Sequence, residues 1–373
     1  MSILDFLQRP SEDGRMPHTH PVTRPDFTLA YEGKDITADI APYLLSLSYT
    51  DFLEGQSDEV QAEFEDTDGR WLRGWYPEQG DRLTLKLGDR LTGLVALGSF
   101  EIAEIEYSRP PAVVRLKALA AGISKAHRTL QPKPYRNTTL AAVVRTVAGR
   151  LKLKVTGTVS DIKIKSVMQY QERDVEFLSR LAKMYGHVFK ITGDTLVFDA
   201  KAGLAKREET VVLRPEDIIR VRLRDLIKGV PEAAVVRAYN PKSKKTVLAA
   251  RKAKPRRPQA KRGTGADTLK IIPNRGESQH QLNARADAAL ADAQEEQCAG
   301  DITLTGNALL VAGQTVRLKD FGKFSGKYLV KQARHELGRG GYTTDLEIKM
   351  VEYVADDSEQ PQEQQKEQQH GQP

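Results

Sequence analysis

Cysteine is almost absent from this 373-residue chain. The single thiol, Cys298, excludes an intrachain disulfide and any zinc site built from several cysteines. Aromatic residues make up 6%, with two tryptophans. No apolar run approaches the roughly 18 residues that a membrane helix needs. The opening stretch MSILDFLQRPSEDGRMPHTHP has no basic n-region followed by an apolar h-region, so no secretory signal is expected and cytoplasmic synthesis is the default. Acidic residues are also missing from one long interval. Between Glu232 and Asp267 there is none, while Lys and Arg recur throughout. The net charge of +7 is therefore local: a mildly acidic body carries one basic segment.

What is present is mostly period-two patterning. Residues 1–25 read as a polar N-terminal arm. From 26 to 120 come FTLAYEG, LLSLSYTDF, DEVQAEFED, DRLTLKLGD, GSFEIAEIEYS and AVVRLKALA, separated by Gly, Asp and Pro. Alternation of this kind specifies antiparallel strands with one buried face. About six strands in that length suggest a small β-barrel or sandwich. Residues 121–200 change to a small α/β module. Thr138 or Thr139 caps a first helix, and Asp174 is placed to cap a second. That second helix presents Val175, Leu178, Leu181, Ala182 and Tyr185 on one face. Gly186 supplies its left-handed stop, and HVFKI and TLVFDA form a hairpin around TGD. Residues 201–355 return to strands, interrupted by a basic loop over 241–265 and a helix over 277–297 with Leu282, Ala286, Ala289 and Ala293 on one face. Residues 356–373 are Gln-rich and expected to be disordered.

Two stretches far apart share a pattern. GDRLTLKLG precedes Gly98-Ser99-Phe100-Glu101-Ile102, and GQTVRLKDFG precedes Gly326-Lys327-Tyr328-Leu329-Val330. Leu83 and Leu85 correspond to Val316 and Leu318. The pattern predicts duplication of one β-domain.

Candidate chemistry is sparse. HELGR at His335 lacks the second histidine of a zincin helix, since Arg339 stands there, and it lies in a strand pattern. That histidine is expected to face solvent or a neighbour. DFG at Asp320–Gly322 has no accompanying kinase motifs and reads as a turn. GKFSGKY is one residue short of a phosphate loop. His18–His20 in the arm is a weak metal candidate, and His187 reads as structural. Glu104 and Glu106 share a strand face, with Glu101 on the other; a solvated face fits better than a glycosidase pair. The basic segment gives the sharpest local signal: Arg251, Lys252, Lys254, Arg256, Arg257, Lys261 and Arg262. These could bind phosphates, but no aromatic residue is present for base stacking. A solvated or partner-docking loop is the better reading, and nucleic acid is not the expected partner.

Three segments in order, residues 51–88, 170–198 and 312–348, resemble the late control protein D family. These are baseplate hub proteins of contractile phage tails and of R-type bacteriocins, related to the hub part of type VI secretion spike proteins. The resemblance spans roughly residues 26–352. It implies a mainly β fold with an α/β insertion: two tube-like antiparallel β-barrel domains in a homotrimeric pseudo-six-fold ring. It also implies no catalytic residue, no cofactor and no metal. The implied partners are a central spike protein, a tail tube protein, and possible tape-measure and baseplate wedge proteins. The implied location is a virion or tail-like particle assembled in the bacterial cytoplasm. The implied function is a structural hub that adapts a six-fold tail tube to a three-fold spike for envelope penetration. Two other readings stand beside it: a tail-associated peptidoglycan-degrading enzyme acting through Glu104 and Glu106, and a nucleic-acid-binding protein acting through Arg251–Arg262.

Overall fold

The computed structural model describes residues 24–78, 80–120, 130–226, 231, 233–240, 245–252, 268–273 and 276–356. The N-terminal arm with His18–His20, the Gln-rich tail and most of the basic loop lie outside the described residues.

The first alternating segment forms β1 (Pro25–Tyr31), β2 (Lys34–Asp35), β3 (Leu44–Phe52), β4 (Glu59–Glu65), β5 (Arg82–Asp89), β6 (Gly93–Ser108) and β7 (Val113–Ala120). Alternation works as expected: Val60, Ala62 and Phe64 of β4 are buried, as are Leu83, Leu85 and Leu87 of β5. They pack with Leu47, Phe100 and Leu116 into one core.

The middle module contains β8 (Leu130–Thr139), β9 (Lys154–Thr156), β10 (Lys163–Arg173), β11 (His187–Thr192) and β12 (Thr195–Ala200), with helices Leu140–Leu151 and Asp174–Tyr185. Thr139 caps the first helix by accepting from the Ala142 N–H at 3.2 Å. The second helix departs from expectation. Arg173 occupies its N-cap, and Glu176 accepts the Arg173 N–H at 3.0 Å. Asp174 instead turns inward, where it accepts from Arg150 at 2.5 Å and from Gln169 at 2.8 Å. An anion buried among such donors satisfies its lone pairs better there than at the exposed helix start. Gly186 closes the helix at φ 69°, as expected.

The third segment contains β13 (Glu209–Leu213), β14 (Ile218–Asp225), β15 (Ala233–Asn240), β16 (Lys245–Lys252), β17 (Thr268–Ile271), β18 (Cys298–Thr305), β19 (Thr315–Leu318), β20 (Gly326–Gly338) and β21 (Gly341–Tyr353), plus the helix Gln279–Glu295. The first half of the expected basic loop is therefore strand: β16 pairs antiparallel with β15, from Ala233 opposite Lys252 to Asn240 opposite Lys245. Ala249 alternates inward against Ala234, Val236 and Leu282, which gives this arm an apolar face that the charge pattern concealed. The helix buries Leu282, Ala286 and Leu290, while Ala289 and Ala293 lie at its margin.

The duplication is present strand by strand. In space, the first unit runs β1-β5-β6-β7-β4-β3 and the second runs β13-β19-β20-β21-β18-β14. Both follow the same order along the chain, with β15–β17 and the helix inserted between β14 and β18. Registers agree. Phe100 stands opposite Leu83, as Tyr328 stands opposite Val316. A bulge falls between Ile102 and Glu104 against β7, and its equivalent falls between Val330 and Gln332 against β21. Another lies between Leu44 and Ser46 against β4, with its equivalent between Ile218 and Arg220 against β18. One pairing differs: β1 meets β5 antiparallel, whereas β13 meets β19 parallel.

The two expected closed barrels are corrected by the pairing. All these strands belong to one 13-stranded sheet, and its path stays open at β2 and β14 among the described residues. The reason is the length of β20. The first part of one edge binds β19, and the remainder of that edge, Gln332–Gly338, binds β3. This joins the two units instead of closing either.

Candidate functional site

Arg251, at the end of β16, donates to Asp287 of the helix Gln279–Glu295 at 2.6 Å. Its charge is thus committed within the fold. Lys252 is exposed beside it. Lys254, Arg256, Arg257, Lys261 and Arg262 lie outside the described residues, so the seven cations are not brought together into one described surface.

Glu104 and Glu106 lie on the second half of β6, opposite Lys117 and Arg115 of β7. Arg115 binds Glu106 at 2.8 Å. Glu101 was expected on the other face, but the bulge between Ile102 and Glu104 shifts the alternation by one residue, so Glu101, opposite Leu119, shares the exposed face with Glu104 and Glu106. The carboxylates line an open sheet surface; Arg115 engages Glu106, while Lys117, opposite Glu104, binds Glu59 instead.

His187 is buried. Its Nδ1 donates to the Tyr185 carbonyl at 2.8 Å, and its Nε2 accepts the Ser160 N–H at 3.1 Å. His335 is fully buried and faces neighbours, not solvent. Its Nε2 donates to the Leu310 carbonyl at 2.9 Å, and its Nδ1 accepts from the Tyr342 hydroxyl at 3.0 Å. Burial pushes its pKa down from 6.5 to about 4. The imidazole is therefore neutral in the folded protein and ionises in the unfolded chain near its ordinary value. Its contribution to stability is full above about pH 6.5 and is lost as pH falls toward 4, amounting to about 3 kcal/mol. Asp58, whose pKa is raised by burial, has the opposite slope. The expected result is that His335→Gln flattens the acid side of a Tm-versus-pH curve relative to wild type. Parallel curves would refute it.

One buried ionic cluster was not legible in the sequence. Lys190 of β11 binds Asp58 at 2.8 Å and also binds Asp51 of β3. Asp51 additionally accepts the Ala312 N–H at 2.8 Å, and Asp58 accepts the Phe52 N–H at 3.1 Å. Burial and the adjacent Asp51 push the Asp58 carboxyl up to about 7, against the pull of Lys190. Burial alone would lower the Lys190 pKa, but the two carboxylates outweigh it and raise it. The group adjoins a cavity of about 290 Å³ whose walls include Tyr49, Val188, Leu204 and Ala312. It ties the first unit, the middle module and the second unit together at one point. A second cluster beside it joins Lys201 to Glu54 and Asp292, each at 2.9 Å, and Lys331 to Glu54 at 2.9 Å. The only sequence trace was a lysine in the strand HVFKI and the penultimate aspartate of LLSLSYTDF.

Surface chemistry concentrates at two other places. Leu72, Trp75 and Tyr76, between β4 and β5, are exposed beside a cleft of about 350 Å³ lined by Tyr31, Trp71 and Leu83. Strand β14 exposes Ile219 and Val221 and alternates them with Arg220, Arg222 and Arg224. Among the described residues, no group of three or more His, Cys, Asp and Glu side chains could hold a metal ion, and no helix is long and apolar enough to cross a membrane. Rigid joints, free sheet edges and exposed apolar loops suit an assembly part.

Comparison with known proteins agrees with that character. The chain is 28% identical to the probable baseplate hub protein of Escherichia phage P2 over 90% of this chain and 96% of that protein. It is 27% identical to the probable baseplate hub protein of Escherichia phage 186, again over 90% of this chain and 96% of that one. Its fold is similar to the crystal structure of the tail protein from Neisseria meningitidis MC58, with TM-score 0.66 and 13% identity, covering 88% of this chain and 97% of that one. Residues 113–341, more than half of the sequence, match the phage tail baseplate hub (GPD) family, and the chain belongs to that family.

Proposed function

We propose that this baseplate hub works as a homotrimeric adaptor in a contractile phage tail or tail-like particle. Three chains, each with two equivalent six-stranded units, present six near-equivalent positions around a ring. One side of the ring mates with a six-fold tail tube and the other with a three-fold central spike, so sheath contraction drives the spike through the envelope. The observation that carries this is the duplication, in which strand order, register and bulges repeat between β1–β7 and β13–β21. An internal duplication converts three-fold into quasi-six-fold symmetry without a second gene product.

The role is mechanical and needs no cofactor. The buried ionic joints support it, because they hold the two units and the middle module as one body. Glu106 is paired to Arg115, and Glu104 and Glu106 lie on an open sheet surface without a cleft around them, which argues against a hydrolase. Arg251 is paired to Asp287, which weakens a nucleic-acid role. The basic residues from Lys254 to Arg262 serve as a contact toward a protein neighbour, with the tape-measure and wedge proteins as candidates.

The test is the absolute molar mass of the full chain by light scattering, alone and with the spike protein of the same particle. The expected mass is three times 41.5 kDa, or a three-to-three complex with the spike. A chain that stays monomeric at every concentration and ignores the spike would overturn the adaptor.

A further inference from the structure

The duplication leaves one joint made and its equivalent unmade. Within the chain, β20 binds β3 along one edge, with Glu336 opposite Ser48, His335 opposite Tyr49 and Arg334 opposite Thr50. The shared registers and bulges map β20 onto β6 and β3 onto β14. Gln332, Arg334 and His335 correspond to Glu104, Glu106 and Tyr107. Ser48, Tyr49 and Thr50 correspond to Arg222, Leu223 and Arg224. Yet the second half of β6 beyond Ile102 has β7 on one edge and no strand on the other among the described residues. Strand β14 likewise pairs with β18 alone. The exposure differs accordingly. Ser48 is buried and Leu45 and Thr50 are half-buried, whereas their equivalents Arg222, Ile219 and Arg224 are exposed.

We infer that β14 of one copy adds to the second half of β6 of the next copy, in the register that β3 and β20 already use. This junction rests on the trimeric reading above and specifies its contact. Transposing the pairs places Arg224 opposite Glu106, Leu223 opposite Tyr107 and Arg222 opposite Ser108. Arg222 and Arg224 then share a face with Glu104 and Glu106, so three-residue alternation meets complementary charge across the seam. On the other face, Leu223 meets Tyr107 where Tyr49 stacks on His335 at 5.9 Å within the chain. The occupant is a second copy of this chain because each copy carries both halves. The contact is heterologous, and it forms a ring if the rotation between copies closes. A strand edge of this length that stayed open would invite uncontrolled pairing.

Directly opposed residues of an antiparallel pair have Cα atoms about 4.5–5.5 Å apart, within the range that a disulfide spans. The experiment therefore uses the full chain carrying Arg224→Cys with Glu106→Cys, and separately Leu223→Cys with Tyr107→Cys. The native Cys298 is buried. Mild oxidation is expected to give covalent dimers and closed trimers on a non-reducing gel from both pairs. Arg220→Cys with Glu104→Cys, out of register, is expected to give none. Independently, Arg224→Glu is expected to raise the concentration of half-association about tenfold or more through facing carboxylates, and the exchange Arg224→Glu with Glu106→Arg to restore it in part. A trimeric mass with no cross-link from either in-register pair overturns this junction and leaves the trimer standing. Equal cross-linking by the out-of-register pair overturns the register. A monomer at every concentration overturns both.

Discussion

Lys190→Met is expected to destabilise the protein by about 3–5 kcal/mol near neutral pH, because removing one partner of a buried ionic group leaves the others uncompensated. The side chain of Lys190 is 17% exposed, and those of Asp51 and Asp58 are 6% and 5% exposed. Without the ammonium, two carboxylates face each other in a site that already drives Asp58 toward protonation. The loss therefore has a pH signature. A carboxyl with a raised folded-state pKa costs stability as pH rises through the interval between its unfolded and folded values. For Asp58 that interval runs from about 4 to about 7 in the wild type, and it extends higher in the variant. Urea denaturation at pH 7.5 and pH 5.5 should show a smaller difference between variant and wild type at the lower pH. Combining Lys190→Met with Asp51→Asn and Asp58→Asn should recover much of the loss, since no charge is then stranded. A loss below about 1 kcal/mol, or one that ignores pH, would mean that solvent reaches this cluster and that it does not tie the units.

Gly306→Ala is the second large effect expected, and its cause is steric. A Cβ at position 306 would stand 2.0 Å from the Tyr342 ring. Gly306 follows β18, and its N–H donates to the Tyr342 carbonyl at 2.9 Å, so neither backbone segment is free to retreat. Tyr342 would have to leave a site where it is 5% exposed within the first core and bonded to His335. Overpacking of this kind costs about 1–3 kcal/mol, and expulsion of the ring would add to it. Tyr342→Phe is the measure of the hydroxyl alone and should cost about 1 kcal/mol. Thermal unfolding of the three proteins separates the two contributions. If Gly306→Ala proved no worse than Tyr342→Phe, the close approach of β18 and β21 at this point would be wrong.

Both variants act at the join between the duplicated units, where Tyr342 and Ala308 of the second unit enter the core of the first. In the proposed trimeric adaptor a rigid join would matter, because the six positions of such a ring stay equivalent only if the two units of each chain keep a fixed relation. The same argument makes the β14–β6 seam the natural counterpart of the β20–β3 seam. The β20–β3 seam forms within one chain, whereas the proposed β14–β6 seam would depend on concentration.

Local pattern alone determined much of this protein. Strict alternation in DEVQAEFED and DRLTLKLGD fixes which side chains face the core, since a slip of one residue would expose all of them. Thr139 and Gly186 mark helix ends by capping chemistry that acts within a few residues. The match of Gly98–Ile102 with Gly326–Val330 identified the duplicated hairpins because register is written in short-range spacing. Three motifs in order were enough to reach the family. Other features waited for the tertiary structure. Asp174 looked like a cap because its position is right, yet Arg150, brought in from another helix, competes for it and wins. The alternation of Ala249 in β16 was hidden by the cations around it. Closed barrels seemed to follow from strand count, but β20 spends part of one edge on joining the units. The Lys190 cluster unites residues more than a hundred positions apart, and no local pattern encodes such a meeting. Free edges are tertiary as well: β6 and β14 read like any other strands, and only their neighbours reveal that one side of β14 and of the second half of β6 has no strand among the described residues.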